Sequence, residues 1–234
     1  MSSLRLIHAD AVSALQGMPD ASVDMILTNP PVAIHVDEKF RTSEVRFPNP
    51  HWIHEALRVS RGPVVYTLSP EFVFTNSVAK IDLLLCWMID SEKDYAPGRG
   101  FSSDFNLICV HRPGSIRVSS SDVFLAKPGF PVNLIDDPTL RKRQDHPAPG
   151  SSQLADKLCG IWKPRTILDP FCGPCASLEG ALLAANRGGW NFEGIGIDID
   201  MEYLEAAGTY FEARRGATVT YDSRHPDTAL RVGR

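Results

Sequence analysis

No apolar run in the 234-residue chain approaches the roughly 20 residues needed to cross a bilayer. The first residues also lack the charged segment and apolar core of a secretory leader. Both absences set the expectation of a soluble, cytoplasmic protein without membrane contact. Cysteine is sparse and odd in number. Five residues with no regular framework suit a reducing compartment. There is no excess of positive charge either: the formal net charge is −4, so the whole molecule is not an electrostatic binder of nucleic acid. Any such surface has to be local. No internal repeat is present. What the chain does have is 43% hydrophobic residues, enough for a proper core in one domain, with or without an insertion.

Apolar runs and punctuating residues give a coarse order of elements. Residues 4–8 read as a short strand and 12–18 as a short helix closed by Gly17 and Pro19. Residues 23–28 form an apolar run stopped by Asn29-Pro30-Pro31, as a buried strand ending in a rigid loop would be. Residues 33–50 show no period and read as a loop. A helix over 51–59, with Trp52, Ala56 and Val59 inward, leads to a strand over 64–68. Residues 72–85 are helix-like and pass into a strand over 84–89.

From Asp90 to about Pro149 the texture turns to Gly, Pro and Ser, with one clear strand at 106–111. Residues 93–143 carry eight Lys/Arg against five Asp/Glu, a local +3 that leaves −7 elsewhere. A helix over 153–161 follows, then a strand over 166–168, a loop and a second helix. The chain closes with a strand over 194–199, a helix over 201–214 stopped by Gly216, and a strand over 217–221. Strands alternating with helices predict an α/β chain: a Rossmann-like mixed, mainly parallel sheet with helices on both faces. Residues 1–90 and 146–221 would form that domain, 91–145 an insertion and 222–234 a flexible tail.

Two loops carry the chemistry. In the first, the strand over 166–168 ends in Asp169-Pro170-Phe171-Cys172-Gly173-Pro174-Cys175 and a helix follows. Ligands of open α/β sheets sit beyond the carboxyl ends of strands, where backbone amides and a helix N-terminus meet. Gly173 would let the backbone approach such a ligand. About 25 residues after Gly173, Asp198 ends the next strand, where a carboxylate can accept the hydroxyls of a ribose. The unit points to an adenosine-containing cofactor; an ordinary βαβ unit with a chance acidic strand end is the bland alternative. Cys172 and Cys175 offer a third reading, a dithiol redox pair with lowered thiol pKa at a helix N-terminus. Against it, a thioredoxin-like fold would need a later proline to abut the dithiol, and residues 176–225 contain none.

The second loop is Asn29-Pro30-Pro31. A planar amide at a strand end can accept a hydrogen bond from an exocyclic amino group, and the Pro30 carbonyl is exposed by a turn that donates nothing. Two such acceptors would aim the nitrogen lone pair at an electrophilic methyl.

Together the loops carry a resemblance that runs over most of the chain. Residues 6–10, then 18–31 ending in Asn29-Pro30-Pro31, the helix and strand over 52–68, His146-Pro147 through Leu154, Asp169 to Gly173, and Gly194 to Asp198 with Tyr203 are all involved. The chain resembles the DNA amino-methyltransferases that use S-adenosylmethionine, in the class whose catalytic loop precedes the cofactor loop. The resemblance implies that Asp169, Phe171 and Gly173, in a loop with Pro170 and Cys172, line the methionine part of the cofactor. Asp198 would hold the ribose and Asp10 the adenine edge. Asn29 and the Pro30 carbonyl would hold the target amine, with Pro31 and Val32 completing the catalytic loop.

Adenine N6 is favoured over cytosine N4, since the cytosine enzymes tend to carry Ser where Asn29 stands. Two departures are visible. Val32 replaces the aromatic residue that stacks on a flipped base, a contact worth about 1–3 kcal/mol. Pro174-Cys175 replaces the surroundings of a second glycine. They motivate an alternative, a non-catalytic module that keeps the cofactor or DNA site. The family carries target recognition in the segment matching 91–145; Gly98-Arg99-Gly100-Phe101 and Arg141-Lys142-Arg143 are its candidates for DNA contact. The segment is short, which suggests a homodimer or low specificity. No metal site is expected: His51, His54 and Glu55 lack the i, i+4 histidine pair of a zinc helix.

Overall fold

A computed structural model describes residues 2–31, 51–68, 81–89, 105–112, 114, 124–126 and 152–223. In chain order the elements are β1 (Ser3–His8), α1 (Ala11–Gln16), β2 (Met25–Thr28), α2 (His51–Val59), β3 (Val64–Leu68), β4 (Leu83–Ile89) and β5 (Phe105–His111). Then come β6 (Phe124–Ala126), α3 (Ser152–Trp162), β7 (Thr166–Asp169), α4 (Ala176–Gly188), β8 (Glu193–Asp198), α5 (Met201–Arg215) and β9 (Thr218–Ser223).

Among the described residues, nine strands join one sheet in the order β6-β4-β5-β3-β2-β7-β8-β1-β9. Only β5 is reversed: it runs antiparallel to both β3 and β4, and every other neighbouring pair is parallel. The strands are near-continuous apolar runs because both faces are covered, and alternation divides each run between two cores. Leu4, Leu6, Met25, Leu27, Val65 and Ile167 pack with α3, α4 and α5 on one face. Ile7, Ile26, Val64, Leu168, Ile195 and Ile197 pack with α1 and α2 on the other.

The chain order sets where a ligand can enter. From β2 the chain passes through α2 to β3, toward one edge. From β7 it passes through α4 to β8, toward the other edge. β2 and β7 are hydrogen-bonded neighbours, with Met25 opposite Ile167 and Ile26 opposite Leu168. Their carboxyl ends therefore flank the point where winding reverses, the place at which open α/β sheets leave a crevice.

The amino ends of the same strands are closed. The Asp24 carboxylate accepts the backbone N–H groups of Arg165 and Thr166 at 2.9 and 3.0 Å and pairs with Arg61. Burial works to raise its pKa, but the Arg61 hydrogen bond and those N–H groups outweigh it and hold it below the usual carboxylate value.

Three expectations change. The helix-like reading of 72–85 fails at its C-terminal end, where Leu83 already begins β4. A short continuous apolar run does not tell strand from helix, and here pairing with β5 and β6 decides. The inserted segment 91–145 is not separate from the sheet, since β5 lies between β3 and β4 and β6 forms an edge. Asp222, assigned to the tail, belongs instead to β9, which runs to Ser223, and pairs with Arg5 of β1 at 2.8 Å; residues 224–234 lie outside the described residues. The loop at 33–50, residues 72–80 of the helix reading, Val32, Gly98 to Phe101, Arg141 to Arg143 and His146-Pro147 lie outside the described residues.

Candidate functional site

Asp169, the last residue of β7, pins the switch point. Its side chain is buried, and one oxygen accepts the Thr28 hydroxyl at 2.6 Å and the Phe171 N–H at 3.0 Å. The other oxygen accepts the hydroxyl of Ser177, from the first turn of α4. One carboxylate thus joins the end of β2, the loop after β7 and the start of α4. Burial pushes its pKa up to about 6, with Asp198 adding to the rise, while the hydrogen bonds from Ser177, Thr28 and Phe171 oppose it.

The loop that follows is stitched to β8. The Cys172 N–H donates to the Ile197 carbonyl at 2.9 Å, and the Gly173 N–H donates to Asp198 Oδ2 at 2.7 Å. Gly173 adopts a positive φ of 47°, and Cys175 caps α4 at φ 64°, ψ 33°, a left-handed conformation unusual for a residue with a Cβ. Close seating depends on Gly196 in β8. A Cβ there would stand 2.9 Å from Cys172 Sγ, 3.1 Å from Leu6 Cδ2 and 3.2 Å from Leu178 Cδ1.

The surroundings of the cysteines differ from those of a dithiol redox pair. Both are buried free thiols. Burial pushes the Cys172 thiol well above its ordinary pKa, and Cys175, Asp198 and Asp169 push it further. A dithiol oxidoreductase needs the opposite shift.

Asp198 ends β8 with an N–H on each oxygen: Gly173 on one, and Asp200 on the other at 2.8 Å. Burial raises its pKa and those N–H groups oppose the rise. A carboxylate offers about four acceptor directions, so capacity for a hydroxyl ligand remains. β1 ends alongside, His8 facing Asp198 in register and the Ala9 N–H donating to the Asp198 carbonyl at 3.0 Å. Asp10 follows as the exposed N-cap of α1, accepting the Ser13 N–H at 2.9 Å and its hydroxyl at 3.0 Å. The candidate cofactor residues therefore occupy the carboxyl ends of three adjacent strands, β7, β8 and β1.

Asn29 lies directly after β2, half-buried, and its Oδ1 accepts the Thr67 hydroxyl of β3 at 2.6 Å. Pro30 is buried and Pro31 exposed. Phe171 reaches across to α2, its ring edge-on to Trp52 with centroids 5.4 Å apart. Trp52 in turn meets Tyr66, also at 5.4 Å, and Tyr66 stacks on His111 of β5. The aromatic chain ties the 169–175 loop to the helix that follows the Asn29-Pro30-Pro31 loop in the chain.

No motif in the sequence assigns a role to Thr28, Thr67 or Ser177. A signal for the two threonines does exist: each is the polar residue at or near the end of an otherwise apolar strand, where a buried hydroxyl must find a partner. Among the described residues no group of three His, Cys, Asp or Glu could hold a metal ion, and no helix is long and apolar enough to cross a membrane.

No protein-family model and no curated protein sequence matches the chain. Solved structures do. A protein from Thermus thermophilus described as a putative DNA modification methylase, in complex with S-adenosyl-L-methionine, has a TM-score of 0.60 at 16% identity, covering 96% of this chain and 99% of that one. M1.HpyAVI in complex with SAM has a TM-score of 0.56 at 19% identity over 88% of this chain and 98% of that one. The PvuII DNA methyltransferase, cytosine-N4-specific, reaches 0.63 at 14% identity over 90% and 87%. At these identities the likeness establishes the fold: this chain has the architecture of those proteins over nearly its whole length.

Proposed function

We propose that this chain transfers a methyl group from S-adenosylmethionine to an exocyclic amino group of a base in DNA. The observation that carries the reading is the Thr28–Asp169 hydrogen bond, which fastens the Asn29-Pro30-Pro31 loop to the Asp169–Cys175 loop at the switch point of the sheet. A donor held by one loop and an amine held by the other would be neighbours. The fold neighbours described as DNA methylases and crystallised with the same cofactor support the assignment.

The residues present fit that cofactor. Two carboxylates, Asp169 and Asp198, stand at adjacent strand ends, suited to a ligand with positive charge and ribose hydroxyls. Asp198 would take a ribose hydroxyl and Asp10, at the end of β1, the adenine edge. Phe171, Gly173 and their loop neighbours Pro170 and Cys172 would border the methionine end. When bound, S-adenosylmethionine supplies an electrophilic sulfonium methyl.

The chain's own part is positioning. Asn29 Oδ1 and the Pro30 carbonyl accept the N–H bonds of the target amine, which leaves its lone pair directed out of the base plane for in-line attack. The base reaches this pocket by leaving the duplex. Catalysis rests on orientation and exclusion of water, with the proton lost after transfer, so a neutral Asn29 suffices.

Asn29 favours adenine N6 over cytosine N4. A homodimer would supply recognition surface that the short 91–145 segment lacks. The test is incubation with labelled cofactor and mixed-sequence DNA, followed by nucleoside identification. N6-methyladenine is expected, and N4-methylcytosine would move the target. Cofactor binding with no modified base would leave a binding module, the outcome that Val32, Pro174 and the left-handed Cys175 would explain.

A further inference from the structure

Ile199 and Asp200 share one peptide group, and both of its ends are held. Its N–H, on Asp200, donates to Asp198 Oδ1 at 2.8 Å. Its carbonyl, on Ile199, meets His8 Nε2 at 3.0 Å. A carbonyl can only accept, so His8 Nε2 carries the hydrogen and donates it. No cis peptide occurs among the described residues, and a trans peptide is planar with its carbonyl and N–H pointing opposite ways. A carbonyl fixed from the His8 side therefore turns the N–H toward Asp198.

The place of His8 follows from the sheet. It is the last residue of β1 and lies opposite Asp198, the last residue of β8, in parallel register. The Ala9 N–H still reaches the Asp198 carbonyl at 3.0 Å, but the chain then turns into α1 at Asp10. The half-buried His8 ring carries the stitching one residue further, onto Ile199. Packing holds this turn weakly, because the Ile199 side chain is 66% exposed. Asp198 is thereby gripped from two directions: Gly173 holds Oδ2 at 2.7 Å, and the peptide that His8 orients holds Oδ1. If that peptide turned over, its carbonyl would face the carboxylate and repel it, and Oδ1 would lose a donor.

We propose that His8 is a positioning residue, which acts through the 199–200 peptide to hold Asp198 in the orientation that receives the cofactor's ribose. The role rests on the cofactor reading above, in which Asp198 takes a ribose hydroxyl. His8 touches neither the sulfonium methyl nor the target amine in this scheme. Its loss therefore weakens cofactor binding and leaves turnover at saturating cofactor alone.

The experiment compares His8→Gln, which keeps an N–H donor near the place of Nε2, with His8→Asn, which ends too short to reach the carbonyl. The Kd for S-adenosylmethionine should rise about tenfold in His8→Asn, equivalent to ~1.4 kcal/mol, and stay within about threefold of wild type in His8→Gln. For an S-adenosylhomocysteine analogue lacking both ribose hydroxyls, Asp198 has nothing to hold, so its Kd should change by no more than about twofold in His8→Asn. At saturating cofactor, kcat should stay within about twofold of wild type. An unchanged Kd for S-adenosylmethionine in His8→Asn overturns the proposal. So does an equal loss in His8→Gln, an equal loss for the analogue, or a fall in kcat that matches the fall in affinity.

A second readout needs neither cofactor nor DNA. In 15N-labelled protein, the Asp200 backbone amide should exchange with solvent faster in His8→Asn than in wild type or His8→Gln. Unchanged exchange at Asp200 in His8→Asn rejects the orienting contact itself. If the contact passes that test while wild-type protein binds no S-adenosylmethionine, the cofactor reading fails and the proposed role for His8 falls with it.

Discussion

Replacing Asp169 with Asn should make the protein less sensitive to pH in a direction opposite to ordinary acid denaturation. The carboxylate is buried, with Thr28 and the Phe171 N–H on one oxygen and Ser177 on the other. Burial raises its pKa from 3.8 to about 6. A carboxyl that holds its proton more tightly folded than unfolded gives its full stabilisation below the unfolded pKa and loses it as pH rises through the folded one. Between pH ~4 and ~7 that loss amounts to roughly 2 kcal/mol.

An asparagine preserves the hydrogen bonds. Its oxygen can accept from Thr28 and Phe171, and its NH2 can donate to Ser177, whose hydroxyl rotates to accept. It carries no charge to desolvate. Groups that do not feel the Asp169 charge, such as Asp24 with its lowered pKa, titrate alike in both proteins and cancel in the difference. The measurement is urea unfolding of wild type and Asp169→Asn at pH 4, 5, 6 and 7.5. The stability of the variant relative to wild type should rise by roughly 2 kcal/mol across the series, most of it between pH 4 and 6. A difference that is flat with pH, or that falls as pH rises, would refute the reasoning.

Cys175 sits in left-handed backbone, so Cys175→Gly should be more stable than Cys175→Ala by about 1 kcal/mol in chemical denaturation, reversing the usual order of the two residues. The opposite ranking would show that the conformation carries no strain. Gly196→Ala should cost about 1–3 kcal/mol and weaken cofactor binding, because the new methyl drives into Cys172 Sγ and displaces the loop; unchanged calorimetric affinity would dissociate β8 from the site. In folded protein at pH 8, Cys172 should label with a thiol reagent far more slowly than after denaturation. Rapid native labelling at Cys172 would revive the dithiol reading.

Much of this architecture is legible in particular residues. Val64 to Leu68 and Thr166 to Asp169 are runs too short for helices, bounded by turn residues, and both are strands that run parallel to β2 between them. The helix at 51–59 buries Trp52, Ile53, Ala56 and Val59 at helical spacing. Leu83 to Ile89 is harder, because an unbroken apolar run has no period to read, and its pairing with β5 and β6 decides its state. In the site, Asp169, Gly173 and Asp198 can be singled out because a strand, a glycine loop and an acidic strand end fall at telling intervals. Thr28, Thr67 and Ser177 cannot. A single hydroxyl gains meaning only from what lies beside it, and their partners are distant in the chain or hidden in a turn.

The sequence alone determined the alternation of strands and helices, and with it a sheet covered on both faces. It also determined which two loops carry polar groups fit for chemistry, since backbone preference and apolar pattern are local properties. The tertiary structure decided what these loops are to each other. β2 and β7 are 141 residues apart at Thr28 and Asp169, yet they lie side by side in the sheet. It also decided that β5 enters the sheet reversed, and that Cys172 and Cys175 are buried among carboxylates and packed side chains. Strand order and burial arise from long-range pairing and desolvation, which no stretch of sequence contains by itself.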